Sequence, residues 1–251
     1  LIVRNTDINI FIPRLPHYHW LMSIFVRRSN ALIFISQAHY ERFNNRWKKI
    51  IDNAKTVAVI PNGINEYWHF NRLKTSTERP MQACFVGRFD DNKNLARLIT
   101  ACKLISSRLI DFKLVLAGGT EAELKKLISI DPLPSFLEVR GVIDSRDKLR
   151  DIYRSSRVFA MTSLKETFGL VYIEALSQGC ALVCTKNEGI DGLFNSPFVI
   201  SVDPKDIIAI TRAISKLLGS NSHGLDKSLI EIELLRFRWS EIAKRHLGVF
   251  Q

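Results

Sequence analysis

Two glutamates eight positions apart mark the segment of this sequence with the clearest capacity for chemistry. Glu166 follows an apolar, strand-like run from Arg157 to Met161, and Glu174 lies about two turns into a helix predicted near 168–179. The residues that open this helix would offer backbone N–H groups that have no acceptor within the helix. They are Phe168, Gly169 and Leu170. Two carboxylates and free N–H groups around one pocket suit a ligand that carries hydroxyls and phosphate.

A second polar segment places two cations after another strand-like run. Arg88 and Lys93 are separated by four residues, so both can reach one diphosphate. In a site shielded from water, such cations stabilise developing negative charge strongly. Position alone leaves open the alternative that both are solvated surface charges. Asp90 and Asp91 are adjacent, without the Asp-x-Asp spacing of metal-dependent enzymes, and we expect no metal ion and no other cofactor.

Together these segments resemble the retaining glycosyltransferases of the two-Rossmann-domain (GT-B) type, family 4, and among them enzymes of capsule and O-antigen polysaccharides. Glu166 and Glu174 are similar to the family's Glu-x7-Glu motif. The run from Gly87 to Asn94 is similar to its phosphate-binding Gly-Arg…Lys-Asn element. The run from Ile60 to Asn65 is similar to its interdomain Ile-Pro-Asn-Gly-Ile-Asp segment, with Asn65 in place of Asp.

The resemblance implies catalytic roles for three of these residues. It places Glu166 at the hydroxyls of a donor sugar and Arg88 and Lys93 at its diphosphate. We expect Glu166 to orient the sugar and stabilise charge rather than to form a covalent intermediate.

Other residues are implied to bind the nucleotide. Glu174 would meet the ribose, and the backbone of Val142 or Ile143 would lie beside the base. Recognition through the backbone leaves uracil, guanine and adenine open. The remaining expected donor contacts are Gly87, Phe168, Gly169 and Leu170.

The elements that position these residues alternate between short apolar runs and amphipathic stretches. This alternation predicts an α/β fold with a Rossmann-like, doubly wound parallel sheet, and the loops that carry the motifs would meet at one edge of it. Predicted strands lie near 31–35, 57–60, 82–87, 112–117, 136–140, 157–161, 181–184 and 198–202. Predicted helices lie near 93–107, 120–129, 145–154, 168–179 and 205–218, with a last helix from Leu225 to Leu247.

We expect three parts along the chain. Residues 1–64 would hold the end of an acceptor-side Rossmann domain and the interdomain segment, 65–235 the nucleotide-sugar-binding domain, and 236–251 a helix that packs back across both, with Trp239 as a core anchor. Because few residues precede Ile60, we expect a C-terminal fragment whose first domain is missing or supplied by a partner chain. A natural short protein with a reduced first domain is the alternative.

The composition limits the partners. A net charge of +11 with clustered arginines and lysines favours an anionic membrane surface, while a solvated basic face remains an alternative. No motif for sequence-specific nucleic-acid binding is present, and Gly118-Gly119 lacks the glycine pattern of nicotinamide or flavin sites.

The four cysteines lie in apolar contexts, which predicts buried thiols in a reducing compartment.

The resemblance implies a glycosyltransferase that moves a sugar from a nucleotide-diphosphate sugar to a glycan or lipid-linked acceptor in bacterial surface polysaccharide synthesis. It would be cytoplasmic, at the inner face of the membrane. The alternative is a non-catalytic nucleotide-sugar-binding module, or a subunit that needs a partner chain. Two segments depart from the family or match it weakly: Thr185 to Gly192 replaces a Gly-Gly-x-x-Glu loop, and Arg4 to Asp7 stands where relatives carry an acceptor-side His.

Overall fold

Two parallel sheets, of three and six strands, organise the part of the chain that the structure describes. This computed structural model describes residues 1–3 and 16–249. The segment from Arg4 to Asp7, which we expected on the acceptor side, lies outside the described residues.

The first sheet has the order β1-β2-β3, with β1 (Ile2–Val3), β2 (Leu32–Phe34) and β3 (Val57–Val59). Helix α1 (Pro16–Arg28) precedes β2, and α2 (Gln37–Ile51) follows it. The Ser36 hydroxyl caps α2 by accepting from the His39 N–H at 3.2 Å. Phe34 of β2 and Phe43 of α2 pack together in the core beneath these helices, with ring centroids 5.3 Å apart.

The second sheet has the order β6-β5-β4-β7-β8-β9, with every neighbouring pair parallel. Its strands are β4 (Gln82–Val86), β5 (Lys113–Ala117), β6 (Leu137–Val139), β7 (Val158–Ala160), β8 (Ala181–Thr185) and β9 (Val199–Val202). The order reverses direction between β4 and β7, which creates the crevice where doubly wound sheets bind ligands. The predicted Rossmann-like class is therefore confirmed.

Eight further helices flank the crossovers within the described residues. They are α3 (Glu66–Phe70), α4 (Leu95–Ser106), α5 (Glu121–Ile128), α6 (Arg146–Ser155), α7 (Leu170–Ser177), α8 (Ile207–Ser220), α9 (Lys227–Leu235) and α10 (Trp239–Gly248). All four cysteines are buried, as predicted. Among the residues described, no helix has both the length and the apolar character required to cross a bilayer.

The last predicted helix is wrong in one respect, because α9 and α10 replace the single helix expected from Leu225 to Leu247. Phe237 interrupts it: its buried ring packs between Phe168 and Phe194, at centroid distances of 6.3 and 6.0 Å. The expectation that Trp239 anchors a core is also wrong, since the residue is 53% exposed.

The chain crosses twice between the two sheets. We call the first sheet with α1 and α2 the first unit, and the second sheet with α3 to α9 the second unit. Residues 60–65 lead from one unit to the other. Helix α10 returns and buries Ile242 against Ile33 of the first unit and against Ile60, where the first crossing begins. The Ile64 N–H donates to the Phe237 carbonyl at 3.0 Å, so the two crossings are hydrogen-bonded to each other.

Candidate functional site

A cavity of about 800 Å³ lies between the carboxyl ends of the two sheets. The strand ends that contribute to its walls come from both units. They are represented by Ile35 after β2, Ile60 after β3, Val86 of β4 and Met161 after β7. In parallel α/β sheets this edge is where ligands bind, because the loops that leave the strands converge there.

Seven of the ten predicted site residues line this cavity. They are Gly87, Arg88, Lys93, Glu166, Phe168, Gly169 and Leu170. The loops after β4 and β7 thus bring the two cations, one glutamate and the start of α7 to a single opening. The other three, Val142, Ile143 and Glu174, lie elsewhere.

Lys93 and Glu166 form the polar centre of the cavity. The Lys93 Nζ lies 2.8 Å from Glu166 Oε2, and their side chains are only 17% and 15% exposed. At this burial a charge without a partner is costly, so each ion stabilises the other. A phosphate that enters the cavity would share Lys93 with Glu166.

Asn92 fastens the loop that carries Lys93 to the loop that carries Glu166. Its Nδ2 donates to the Lys165 carbonyl at 2.9 Å, and its Oδ1 accepts from the Lys165 N–H at 3.1 Å. The Asn92 carbonyl also accepts from the Leu164 N–H at 2.7 Å. Three contacts of Asn92, two of them through its side chain, therefore help to set the distance between Lys93 and Glu166.

Arg88 stands in a different environment from Lys93. Its side chain is 89% exposed, and its nearest acidic partner, Asp90, is 3.8 Å away. A contact this long between exposed groups contributes little stability. Arg88 therefore keeps its charge available to a ligand at the rim of the cavity.

Helix α7 begins at the cavity wall. Gly169 is its N-cap with φ of 78°, and a Cβ there would lie 2.6 Å from the Tyr172 ring, so the position requires glycine. Leu170 and Val171, whose N–H groups belong to the first turn, both line the cavity. The positive end of the helix dipole thus faces the same space as Arg88 and Lys93.

Glycines also allow three loops to meet beside the cavity. Gly118 has φ of 116°, and a Cβ there would lie 2.7 Å from the Gly87 carbonyl carbon. The Gly118 N–H donates to the Gly141 carbonyl at 2.8 Å. The loops after β4, β5 and β6 are consequently packed backbone against backbone.

The loop after β8, where the sequence departs from the family pattern, folds onto Glu166. The Glu166 N–H donates to Glu188 Oε2 at 2.8 Å, and the Gly189 N–H donates to the Glu166 carbonyl at 3.0 Å. This loop therefore holds the main chain of Glu166 from both sides.

Glu174 lies in α7 but points away from the cavity, toward α6 and α3. The Tyr153 hydroxyl donates to Glu174 Oε2 at 3.4 Å. Burial raises the pKa of Glu174, while hydrogen bonds from Tyr153 and Trp68 oppose that rise. The carboxylate is thus half-buried among aromatic groups.

Val142 and Ile143 line a separate cavity of about 750 Å³. Its charged groups are two cations, Arg140 and Lys148, and two carboxylates, Asp144 and Asp151. The structure does not bring this cavity and the Lys93–Glu166 pair into one pocket.

The glycosyl transferases group 1 family model matches residues 69–233, well over half of the chain and all of the segment from β4 to α8. The chain belongs to this family.

Similarity to individual relatives extends beyond the matched segment. The chain is 26% identical to alpha-maltose-1-phosphate synthase of Mycobacterium tuberculosis, over 92% of this chain and 65% of that protein. It is 23% identical to phosphatidyl-myo-inositol mannosyltransferase of the same organism, over 76% of this chain and 53% of that protein. The chain therefore spans less than two thirds of the length of these relatives.

The fold is shared with solved structures of glycosyltransferases. A mutant of S. aureus TarM, in complex with Fondaparinux, alpha-GlcNAc-glycerol and UDP, superimposes with a TM-score of 0.73 at 16% identity. The match covers 100% of this chain and 50% of that one. It confirms the GT-B resemblance at the level of the fold.

The sequence did not predict several side chains that line the cavity in this member of the glycosyl transferases group 1 family. Asn62, Trp239 and His246 line it from the two crossings. Trp239 rests on Gly63, where a Cβ would lie 2.7 Å from the indole ring. The signals available in the sequence were the Asn62-Gly63 pair and Trp239 itself.

Proposed function

We propose that this chain carries the donor site of a retaining glycosyltransferase, which transfers a sugar from a nucleotide-diphosphate sugar to a glycan or lipid-linked acceptor. The observation that carries the proposal is the convergence of Arg88, Lys93 and the first turn of α7 on one cavity that also contains Glu166. Cations and helix N–H groups at one opening fit a diphosphate, and a carboxylate beside them fits sugar hydroxyls.

In the proposed reaction the bond between the anomeric carbon and the diphosphate oxygen breaks, and the acceptor oxygen bonds to the same face of that carbon. The acceptor proton passes to the leaving diphosphate. Arg88 and Lys93 stabilise the charge that develops on the leaving group, an effect of about 3 kcal/mol for one well-placed donor in a preorganised site. Glu166 orients the sugar. Its ion pair with Lys93 links the residue that binds the sugar to the residue that binds the diphosphate.

Glu174 is proposed to meet the ribose. Its contact with Tyr153 at 3.4 Å is long for a hydrogen bond between oxygens, so ribose hydroxyls can replace it without a large loss. Val142 and Ile143 are proposed to lie beside the base, which places the base at the cavity next to β6.

The relatives support a role in surface glycan synthesis. One is named for phosphatidyl-myo-inositol, and TarM was solved with UDP and a glycosylated glycerol. A bacterial cytoplasmic location, an acceptor on a lipid or polysaccharide, and a partner chain belong to this proposal.

An anionic membrane surface is the proposed partner of the first unit. A shallow groove on α1 and α2 is lined by Trp20, Arg27 and Lys49, with the Trp20 ring exposed. Exposed aromatics beside cations suit an interface of anionic lipid. Co-sedimentation with phosphatidylglycerol vesicles, reduced by Lys49→Glu, is expected. Equal binding to phosphatidylcholine vesicles would contradict it.

The test of donor binding is thermal unfolding of the chain with UDP, GDP, ADP or CMP. At about 100 times Kd, a bound nucleotide adds roughly 2.7 kcal/mol of stability. One nucleoside diphosphate is expected to raise Tm, and Arg88→Ala is expected to reduce the shift. Arg212→Ala, an exposed arginine of α8 that does not line the cavity, is the matched control. A shift that survives in Arg88→Ala, or no shift with any nucleotide, would overturn the proposal.

A further inference from the structure

An ion pair joins the first unit to the loop after β8. Arg42 of α2 lies 2.8 Å from Glu188 Oε1, and its guanidinium also donates to the Asn187 carbonyl at 3.1 Å. The side chains are 25% and 12% exposed. Solvent therefore screens this pair less than it screens exposed pairs, and the pair restrains both side chains.

The same glutamate bears directly on Glu166. While Glu188 Oε1 faces Arg42, Glu188 Oε2 accepts from the Glu166 N–H at 2.8 Å. Gly189, with φ of 54°, donates its N–H to the Glu166 carbonyl at 3.0 Å. A Cβ at Gly189 would lie 3.0 Å from Glu166 Cγ, so this loop also packs on the side chain.

A continuous set of contacts therefore runs from α2 of the first unit, through Glu188, to the backbone of Glu166 and on to Lys93. Each link is 2.8 Å long. Nothing in the sequence brings Arg42 near Glu166, since the pairing depends on how the two units are placed.

We propose that Arg42 is a positioning residue that fixes Glu166 in the donor site by holding Glu188. The inference rests on the proposed function for the role of Glu166, while the mechanical link rests on the contacts alone. Because Arg42 belongs to the first unit, Glu166 is fully ordered only when the two units are in contact. The site thereby senses the unit that would carry the acceptor.

The mechanical link is tested by amide hydrogen exchange on the full chain without ligand. Arg42→Met is expected to speed exchange at the Glu166 and Gly189 amides about fivefold, the effect of losing roughly 1 kcal/mol of local stability. Glu188→Gln is expected to act on the same amides. The double variant should exchange little faster than either single variant, because both substitutions remove the same ion pair. Arg42→Lys keeps the charge and is expected to restore most of the protection.

The matched control is Arg72→Met. Arg72 pairs with Glu231 at 2.6 Å, also across a large sequence separation, and its side chain is 28% exposed, but it does not line the cavity. This variant should leave the Glu166 and Gly189 amides unchanged. Unchanged exchange in Arg42→Met, or the same increase in Arg72→Met, would refute the link.

The consequence for donor binding is tested with UDP and UDP-glucose, or with GDP and GDP-mannose if guanine is the base that binds. Arg42→Met is expected to weaken the nucleotide sugar about fivefold and to leave the free nucleoside diphosphate within about twofold, because Glu166 is assigned to the sugar. Equal weakening of both ligands would refute a role through Glu166. If wild type binds none of them, the proposed function fails, whereas the exchange result still decides the link.

Discussion

Replacing Gly118 by alanine should damage the proposed donor site through a backbone collision. The added Cβ would lie 2.7 Å from the Gly87 carbonyl carbon, closer than real Cβ atoms approach, and Gly87 is fixed by its N–H bond to the Ala117 carbonyl at 2.9 Å. The φ of 116° is also one that L side chains rarely adopt. Strain and overpacking each cost about 1 to 3 kcal/mol, so Gly118→Ala should destabilise the chain by about 4 kcal/mol.

Gly141→Ala separates the two causes. Gly141 accepts the hydrogen bond from Gly118, and its φ of 71° is also positive, but a Cβ there would meet nothing within 4 Å. Only the conformational cost of about 1 kcal/mol is expected at this position. The difference of about 3 kcal/mol should lower Tm by roughly 9 °C more in Gly118→Ala than in Gly141→Ala.

Urea and thermal unfolding of wild type and both variants measure this difference, and the nucleotide titration measures its effect on the site. Gly118→Ala should weaken binding, because the loop of Gly87 must move away from β5. If the two variants unfold within about 1 kcal/mol of each other, the close packing of these loops does not hold in solution.

Two further predictions concern single side chains. Glu174→Gln should raise Tm at about pH 8. The raised pKa of Glu174 means that the folded protein binds this proton more tightly than the unfolded chain, so the stability of wild type falls as the pH rises from the unfolded pKa through the folded one. The gain in Tm should shrink toward about pH 4, and an equal gain at all pH values would contradict this reasoning. Asn92→Ala should lower the free energy of unfolding, measured in urea, by about 2 kcal/mol because it removes two side-chain hydrogen bonds to Lys165. Ser106→Ala on α4 is the control. An unchanged free energy of unfolding in Asn92→Ala would show that the two loops are held in another way.

The second unit was predictable because its signals are local. Apolar runs bounded by polar turns gave the strands, and the amphipathic stretches between them gave the helices. The helix expected near 120–129 is α5, which the structure shows to begin with a reciprocal capping box of Thr120 and Glu123. The loops of the proposed donor site followed, since parallel strands deliver their carboxyl ends to one edge. This placed Lys93 and Glu166 together before any distance was known.

What the sequence did not show depends on contacts between distant residues. No glycine or proline marks the break between α9 and α10, which is imposed by burial of Phe237 against Phe168 and Phe194. The direction of Glu174 depends on Tyr153, a residue of another helix. Ion pairs such as Arg42 with Glu188 depend on the placement of whole units, and charge patterns along the chain do not encode that.

The hydrogen bond from Ile64 to Phe237 has a mechanical consequence. Two chain segments that run side by side and are hydrogen-bonded to each other act as a hinge with one axis, whereas a single segment would allow rotation about several axes. Rotation about the line through the pair stretches neither segment, but twisting or sliding would shorten one while lengthening the other. The opening between the sheets should therefore widen and narrow along one coordinate. The width of the opening can then be followed by measuring one distance between a pair of labels placed on either side of it.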